Sequence, residues 1–99
     1  MADVTDAPIF DPAAFRLSDG QAELIEHVRQ LAAERFAPRA AQHDREASFP
    51  TDNYRDLRDA GLLAICIPRA YGGLGADYQT YALAAAEMAR SCGATALTW

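Results

Sequence analysis

The side chains that could act as acids, bases or metal ligands in this 99-residue chain are few and lie far apart. Glu87 and Arg90 are three positions apart, the spacing of an ion pair on one helix face. We therefore interpret Glu87 as a paired carboxylate rather than a general base. His27 and His43 are isolated on polar stretches, which favours a solvated or capping histidine over a metal ligand. The residues thus indicate no catalytic set and no metal site.

The two cysteines are the other reactive side chains. Cys66 and Cys92 are 26 positions apart, form no C-x-x-C motif and lie in apolar surroundings. A disulfide scaffold would need more cysteines in so short a chain, so we predict two buried thiols. The first residues are acidic and contain no apolar signal segment. A reducing, cytoplasmic compartment is therefore expected.

The run Tyr71–Gly75 reads Y-G-G-L-G, and glycine-rich loops of this kind sometimes cradle phosphates. The dinucleotide-binding fingerprint requires a third glycine that is absent here, and no Gly-Lys-Ser/Thr follows. We therefore predict a tight turn that lets two backbone segments approach closely.

Composition restricts the class of protein further. Apolar residues make up 51% of the chain and charged residues 23%, which is typical of one small folded domain. The net charge is −5, so the chain has no excess of basic residues with which to bind nucleic acid or an anionic membrane. No apolar run approaches the ~20 residues that a membrane span requires.

The elements that position these residues are predicted to be helices, and the fold class all-α. Ser18 and Gln21 match a capping box, Pro38 predicts a kink, Gly61 a helix end, and Asp77 an N-cap. An extended lead-in over 1–16 is expected to precede the helical domain, 17–99. The predicted helices cover 18–44, 50–60, 77–91 and 92 onward.

Two further features concern surfaces. The apolar run Leu62–Ile67 precedes Pro68, which predicts a buried extended connector. The helix from Tyr78 to Ala89 is apolar on nearly all sides, so we expect it to be covered by a partner or a further domain. The chain stops at Trp99 within an apolar helix, so we expect 17–99 to be incomplete at its C-terminal end. The alternative to an incomplete domain is a free-standing helical module that binds a partner through these apolar helices.

Four segments in this order and spacing resemble the N-terminal helical domain of the acyl-CoA dehydrogenases. The segments are Phe36–Asp44 with Phe49-Pro50, then Leu57 with Gly61–Leu63 and Ile67-Pro68, then Tyr71–Tyr78, then Tyr81–Leu83 with Glu87–Arg90. None is specific alone, but together they identify the chain over about 17–99 as a member of this family.

The resemblance implies an FAD-dependent enzyme with three domains, of which this chain supplies the first. It implies a glutamate base that removes the α proton of an acyl thioester and a β hydride that passes to the flavin. The base and most flavin contacts would lie in later parts of the protein, so we expect residues 1–99 alone to be inactive. An acyl-CoA substrate, an electron-transfer acceptor and a homotetramer or homodimer are implied as partners.

The resemblance also implies that the helix near Gly93 runs beside the acyl chain, which makes Thr95, Ala96 and Trp99 the candidate substrate-binding residues. The alternative is that these residues only pack against a neighbouring domain. Flavin monooxygenases, nitroalkane oxidases and acyl-CoA oxidases share the fold, so the resemblance leaves the reaction open among these chemistries.

Overall fold

The computed structural model describes residues 12–99 and contains helices and turns but no strand within that range. The prediction of an all-α fold is therefore confirmed. The α-helices are α1 (Asp19–Leu31), α2 (Ala37–Glu46), α3 (Thr51–Asp59), α4 (Tyr78–Ala89) and α5 (Gly93–Thr98). Most of the predicted lead-in lies outside the described residues, and Pro12–Phe15 form a 3-10 turn rather than an extended segment.

Helices α1 and α2 form one continuous rod because a π-helical turn, Ala32–Phe36, joins them. The amide of Ala37 donates to the carbonyl of Ala32, one residue further back than in an α-helix. Pro38 has no amide hydrogen, and a wider turn just before it lets the helix continue without an α-helical bond at that position. The predicted continuation past Pro38 is confirmed, and the rod ends at Ala47 in a left-handed conformation.

The predicted caps form as expected. Ser18 Oγ accepts the Gln21 amide at 3.2 Å and Gln21 Oε1 accepts the Ser18 amide at 2.8 Å, which completes the capping box. Asp77 Oδ1 accepts the Thr80 amide at 2.8 Å at the start of α4. Gly61 ends α3 with a φ of 76°, a conformation that glycine adopts without steric cost.

Helices α1, α3, α4 and α5 and the π turn contribute to a single core, in which α1 packs against α4 and α4 against α5, while α2 adds only the partly buried Ala40. The buried apolar residues are Ile25, Val28, Ala32, Phe36, Leu57, Leu62, Ile65, Ala84, Met88, Cys92 and Ala96. Their burial supplies most of the favourable free energy of the fold, since each large side chain removed from water contributes about 1.5–3 kcal/mol.

The extended conformation predicted for Leu62–Ile67 is wrong. Leu62–Ala64 form a 3-10 turn, and only Leu62 and Ile65 of this segment belong to the buried core. The segment is compact because three of its carbonyls accept amides from the loop after it. These bonds run from Leu74 to Ala64, from Ala76 to Ile65 and from Gly75 to Ile67, at 2.9–3.1 Å.

The glycine loop is a close-packing turn, as predicted. A Cβ atom at Gly73 would lie 2.1 Å from the carbonyl oxygen of Ile67 and 2.4 Å from its Cβ. The backbone of Gly73 is thus in direct contact with the preceding segment, and the amides of residues 72–75, which a phosphate cradle would use, donate to carbonyl oxygens of residues 64–69. No helix within 12–99 has the length and apolar character needed to cross a membrane.

Candidate functional site

The candidate residues lie on α5, whose own sequence has few features that would stabilise a helix. It is six residues long, and the side chain of Cys92 at its N-cap does not cap a backbone amide. A helix this short is marginal in isolation, so contacts with the rest of the domain must hold it in place.

The three candidate residues lie together on the inner face of α5, as their i, i+1, i+4 spacing dictates. Thr95 is fully buried, Ala96 is 9% exposed, and Trp99 is half-buried against the core. The outer face carries Leu97, whose side chain is 91% exposed. The structure therefore brings the candidate residues together but directs them toward the other helices of the domain.

The polar atoms of Thr95 are occupied within the domain. Its hydroxyl accepts a hydrogen bond from Asn53 Nδ2 at 2.9 Å and donates to Cys92 Sγ at 3.1 Å. Its carbonyl oxygen accepts from the Tyr54 hydroxyl at 3.0 Å. Because the single hydroxyl hydrogen is already donated, Thr95 has no proton to offer a ligand in this arrangement.

The indole of Trp99 is held at both its polar and its apolar side. Nε1 donates to the carbonyl oxygen of Leu62 at 3.0 Å. The ring also packs against Tyr81, with centroids 5.2 Å apart and planes tilted by 51°. A directional hydrogen bond and an aromatic contact therefore both favour this orientation of the indole.

Sequence reasoning missed Asn53, a fully buried residue whose carboxamide connects α2 with α5. Its Oδ1 accepts from Arg39 Nη1 at 2.9 Å, while its Nδ2 donates to Thr95. The available signal was its position: Asn53, Tyr54 and Leu57 share one face of α3, so an uncharged polar residue stands in the apolar stripe of a highly charged helix.

Asp56 binds Arg39, the outermost residue of the hydrogen-bonded series Arg39, Asn53 and Thr95. Its carboxylate accepts from Arg39 at 2.8 Å and from Arg35 at 3.2 Å. Partial burial alone would raise the pKa of Asp56, but the hydrogen bonds and charges of Arg35 and Arg39 outweigh it and hold the pKa below its usual value. Asp56 is therefore ionised at neutral pH and keeps Arg39 directed toward Asn53.

The remaining reactive side chains singled out in the sequence are Glu87, the histidines and the two cysteines. Glu87 is buried and accepts from Arg90 at 3.0 Å, so the predicted ion pair is present. No cluster of histidine, cysteine and carboxylate residues in this range could hold a metal ion. Both cysteines are free, but the prediction of two buried thiols is wrong for Cys66, which is exposed.

Comparisons with known proteins follow the same boundaries as the helical domain. Residues 18–99 match the family model described as acyl-CoA dehydrogenase, N-terminal domain. The chain therefore belongs to the acyl-CoA dehydrogenase family, of which it contains the N-terminal domain. No solved structure matches the chain significantly.

Several curated proteins are similar to the chain over most of its length. It is 44% identical over 82 residues to cyclohex-1-ene-1-carbonyl-CoA dehydrogenase of Syntrophus aciditrophicus, which covers 82% of this chain and 20% of that protein. It is 39% identical over 72 residues to the human mitochondrial short-chain specific acyl-CoA dehydrogenase, covering 73% of this chain and 18% of that protein. A 3-sulfinopropanoyl-CoA desulfinase of Paraburkholderia xenovorans is 38% identical over 81 residues, covering 82% and 21%. The chain thus spans about a fifth of the length of these relatives.

Proposed function

We propose that this chain is the N-terminal part of an FAD-dependent acyl-CoA dehydrogenase, which removes two hydrogens from the α and β carbons of an acyl-CoA thioester. The observation that carries the proposal is the family match over 18–99, together with the identity to enzymes named for CoA-thioester dehydrogenation. The proposal includes an electron-transfer acceptor, a homodimeric or homotetrameric assembly and a cytoplasmic location, which suits two free thiols.

In this proposal the flavin site lies mainly outside the residues described here. The glycine loop is packed against Ile67, and Glu87, the buried carboxylate, is paired with Arg90. The FAD contacts and the catalytic base are therefore assigned to parts of the protein beyond this domain. Accordingly, we expect residues 1–99 alone to be inactive.

The contribution of this domain is one wall of the acyl pocket, built on α5. In this proposal the half-buried indole of Trp99 limits the length of the pocket, since its orientation is favoured by contacts with Leu62 and Tyr81. Thr95 and Ala96 lie behind the wall and hold the helix against the core.

A second chemistry on the same fold has a specific observation in its favour. The desulfinase relative acts, by its name, on a CoA thioester without being called a dehydrogenase, and its identity to this chain is close to that of the dehydrogenases. Flavin-dependent oxidases and monooxygenases are further options, since the fold alone does not determine the reaction. A free-standing interaction module is disfavoured because the family match covers the whole helical domain.

Replacing Trp99 by Ala in the full-length flavin-loaded protein tests the pocket wall. We expect the chain-length profile of kcat/KM to shift toward longer or bulkier acyl-CoAs, because removing the indole opens space. Each methylene in an apolar pocket is worth about 1–3 kcal/mol of discrimination. The variant should also lose stability, but less than the ~3–5 kcal/mol that truncating a fully buried aromatic residue costs, because Trp99 is half-buried.

Leu97→Ala is the matched control, because Leu97 lies on the same helix but on its exposed face. An unchanged profile in a folded, flavin-loaded Trp99→Ala protein would contradict the proposed wall. A shift caused by Leu97→Ala alone would place the acyl chain on the outer face of α5 instead.

A further inference from the structure

A chain of polar contacts runs inward from a partly exposed arginine, crosses three helices and ends on α5. Arg39 on α2 donates to Asn53 on α3, Asn53 donates to Thr95 on α5, and Thr95 donates to Cys92 at the start of α5. Asn53 and Thr95 are both fully buried, so the bond between them lies in an environment from which water is excluded, whereas the bond from Arg39 is only partly buried.

The oxygen of the Asn53 carboxamide accepts a hydrogen bond and its nitrogen donates one, which fixes the orientation of the group. Arg39 can only donate, so it selects Oδ1 as the acceptor and turns Nδ2 toward Thr95. Asp56 holds Arg39 in place at 2.8 Å. A buried amide that lost either partner would carry an uncompensated desolvation cost, so the arrangement is favoured as a whole.

The polar contacts between α3 and α5 meet at Thr95. Asn53 bonds to its hydroxyl and the neighbouring Tyr54 bonds to its carbonyl oxygen. Successive residues of a helix are separated by about 100° around its axis, so turning α5 by one residue would break both bonds. Apolar packing between the small side chains of α5 and the core is far less directional than this pair of bonds.

We propose that Asn53 is a positioning residue that sets the rotation of α5 and thereby the placement of the Trp99 indole. The inference rests on the proposed function in one respect: if α5 forms the acyl pocket wall, Asn53 determines chain-length specificity without touching substrate. Arg39 and Asp56 act through Asn53 by holding its carboxamide in the direction that reaches Thr95.

Thr95→Val in the full-length flavin-loaded protein keeps the shape of the side chain but removes the hydroxyl, which accepts from Asn53 and donates to Cys92. Cys92→Ala removes only the second of these bonds, so an effect equal to that of Thr95→Val would contradict the role of Asn53. Thr95→Ser restores the hydroxyl. Thr80→Val is the matched control, since Thr80 is equally buried and its hydroxyl accepts Gln21 Nε2 at 3.1 Å, but this bond joins α1 to α4 rather than holding α5.

The first readout is amide hydrogen exchange in the peptide covering 93–99, which requires no activity. Thr95→Val should speed exchange there by about tenfold, the equivalent of one hydrogen bond, whereas Thr95→Ser and Thr80→Val should not. Exchange unchanged by Thr95→Val, or accelerated equally by Thr80→Val, would overturn the positioning role.

The second readout is the ratio of kcat/KM between a longer and a shorter acyl-CoA. Thr95→Val should change this ratio by about tenfold, the lower end of what one methylene is worth, and Thr95→Ser should restore it. If Trp99→Ala shifts the profile but Thr95→Val does not, the inference fails while the proposed wall stands. If Trp99→Ala has no effect, the proposed wall fails, and the exchange measurement alone decides whether Asn53 positions α5.

Discussion

Gly73→Ala is the smallest substitution that tests whether the glycine loop is a packing turn. The added methyl carbon would lie 2.1 Å from the carbonyl oxygen of Ile67, whereas close carbon–oxygen contacts in proteins are about 3.3 Å. The two backbone segments must therefore separate by about 1.2 Å. The atoms nearest to the new methyl are the carbonyl oxygen, the Cβ and the carbonyl carbon of Ile67. None of these atoms moves when the side chain changes rotamer, so a rotamer change cannot relieve the clash.

The cost of that separation follows from the bonds it disturbs. The same Ile67 oxygen accepts the amide of Gly75 at 2.9 Å, and this bond is lost or weakened when Ile67 moves. Overpacking costs about 1–3 kcal/mol and one intramolecular hydrogen bond about 1 kcal/mol, so we expect Gly73→Ala to lower stability by about 2–4 kcal/mol.

Thermal unfolding of the full-length protein, followed by circular dichroism, measures this effect. Gly20→Ala is the control, because Gly20 lies in α1 with nothing within 4 Å of a Cβ, and alanine there is neutral or stabilising by up to about 1 kcal/mol. The Gly73 variant should melt well below both the control and the unchanged protein, with KM for acyl-CoA unaffected. Melting at the same temperature as the control would refute the packing account, and a raised KM without loss of stability would favour a ligand-binding loop.

Two further predictions concern the charge of Asp56 and the activity of residues 1–99 in isolation. Because the pKa of Asp56 is held below its ordinary value, its carboxylate stabilises the fold at neutral pH, and this contribution is lost as the pH falls below about 4. Asp56→Asn should therefore melt below the unchanged protein at pH 7, and the difference should shrink toward pH 3; a constant difference would contradict the ionic contribution. Purified 1–99 should bind no stoichiometric FAD and show no activity, as read from its visible spectrum and an acyl-CoA assay; bound flavin would contradict the assignment of its contacts to later domains.

Features determined within a few residues could be predicted from the sequence. The Ser18 capping box, the Gly61 helix end and the Asp77 cap each depend on side chains three residues apart or fewer, or on one glycine. Pro38 indicated that the helix is disturbed but not how, since both a π turn and a break in the helix avoid the hydrogen bond that proline cannot donate.

Features that depend on distant segments could not be predicted in the same way. Pro68 restricts only the residue before it, whereas the compact form of Leu62–Ile67 comes from hydrogen bonds with the loop at 74–76. The contact between Asn53 and Thr95 joins residues 42 positions apart, and nothing in either local pattern pairs them. The resemblance indicated α5 as a site element, but only the fold shows that its candidate residues face inward.

The mass of the product tests the central claim most directly. The full-length protein that contains this domain, purified with its flavin, is incubated with a saturated acyl-CoA and an electron acceptor, and the CoA thioester is then analysed by mass spectrometry. We expect a thioester that has lost two hydrogens, formed by the flavin-loaded protein and absent from a flavin-free control. An unchanged thioester across short, long, branched and cyclic acyl groups, or a product that has gained oxygen or lost a sulfur group, would contradict it.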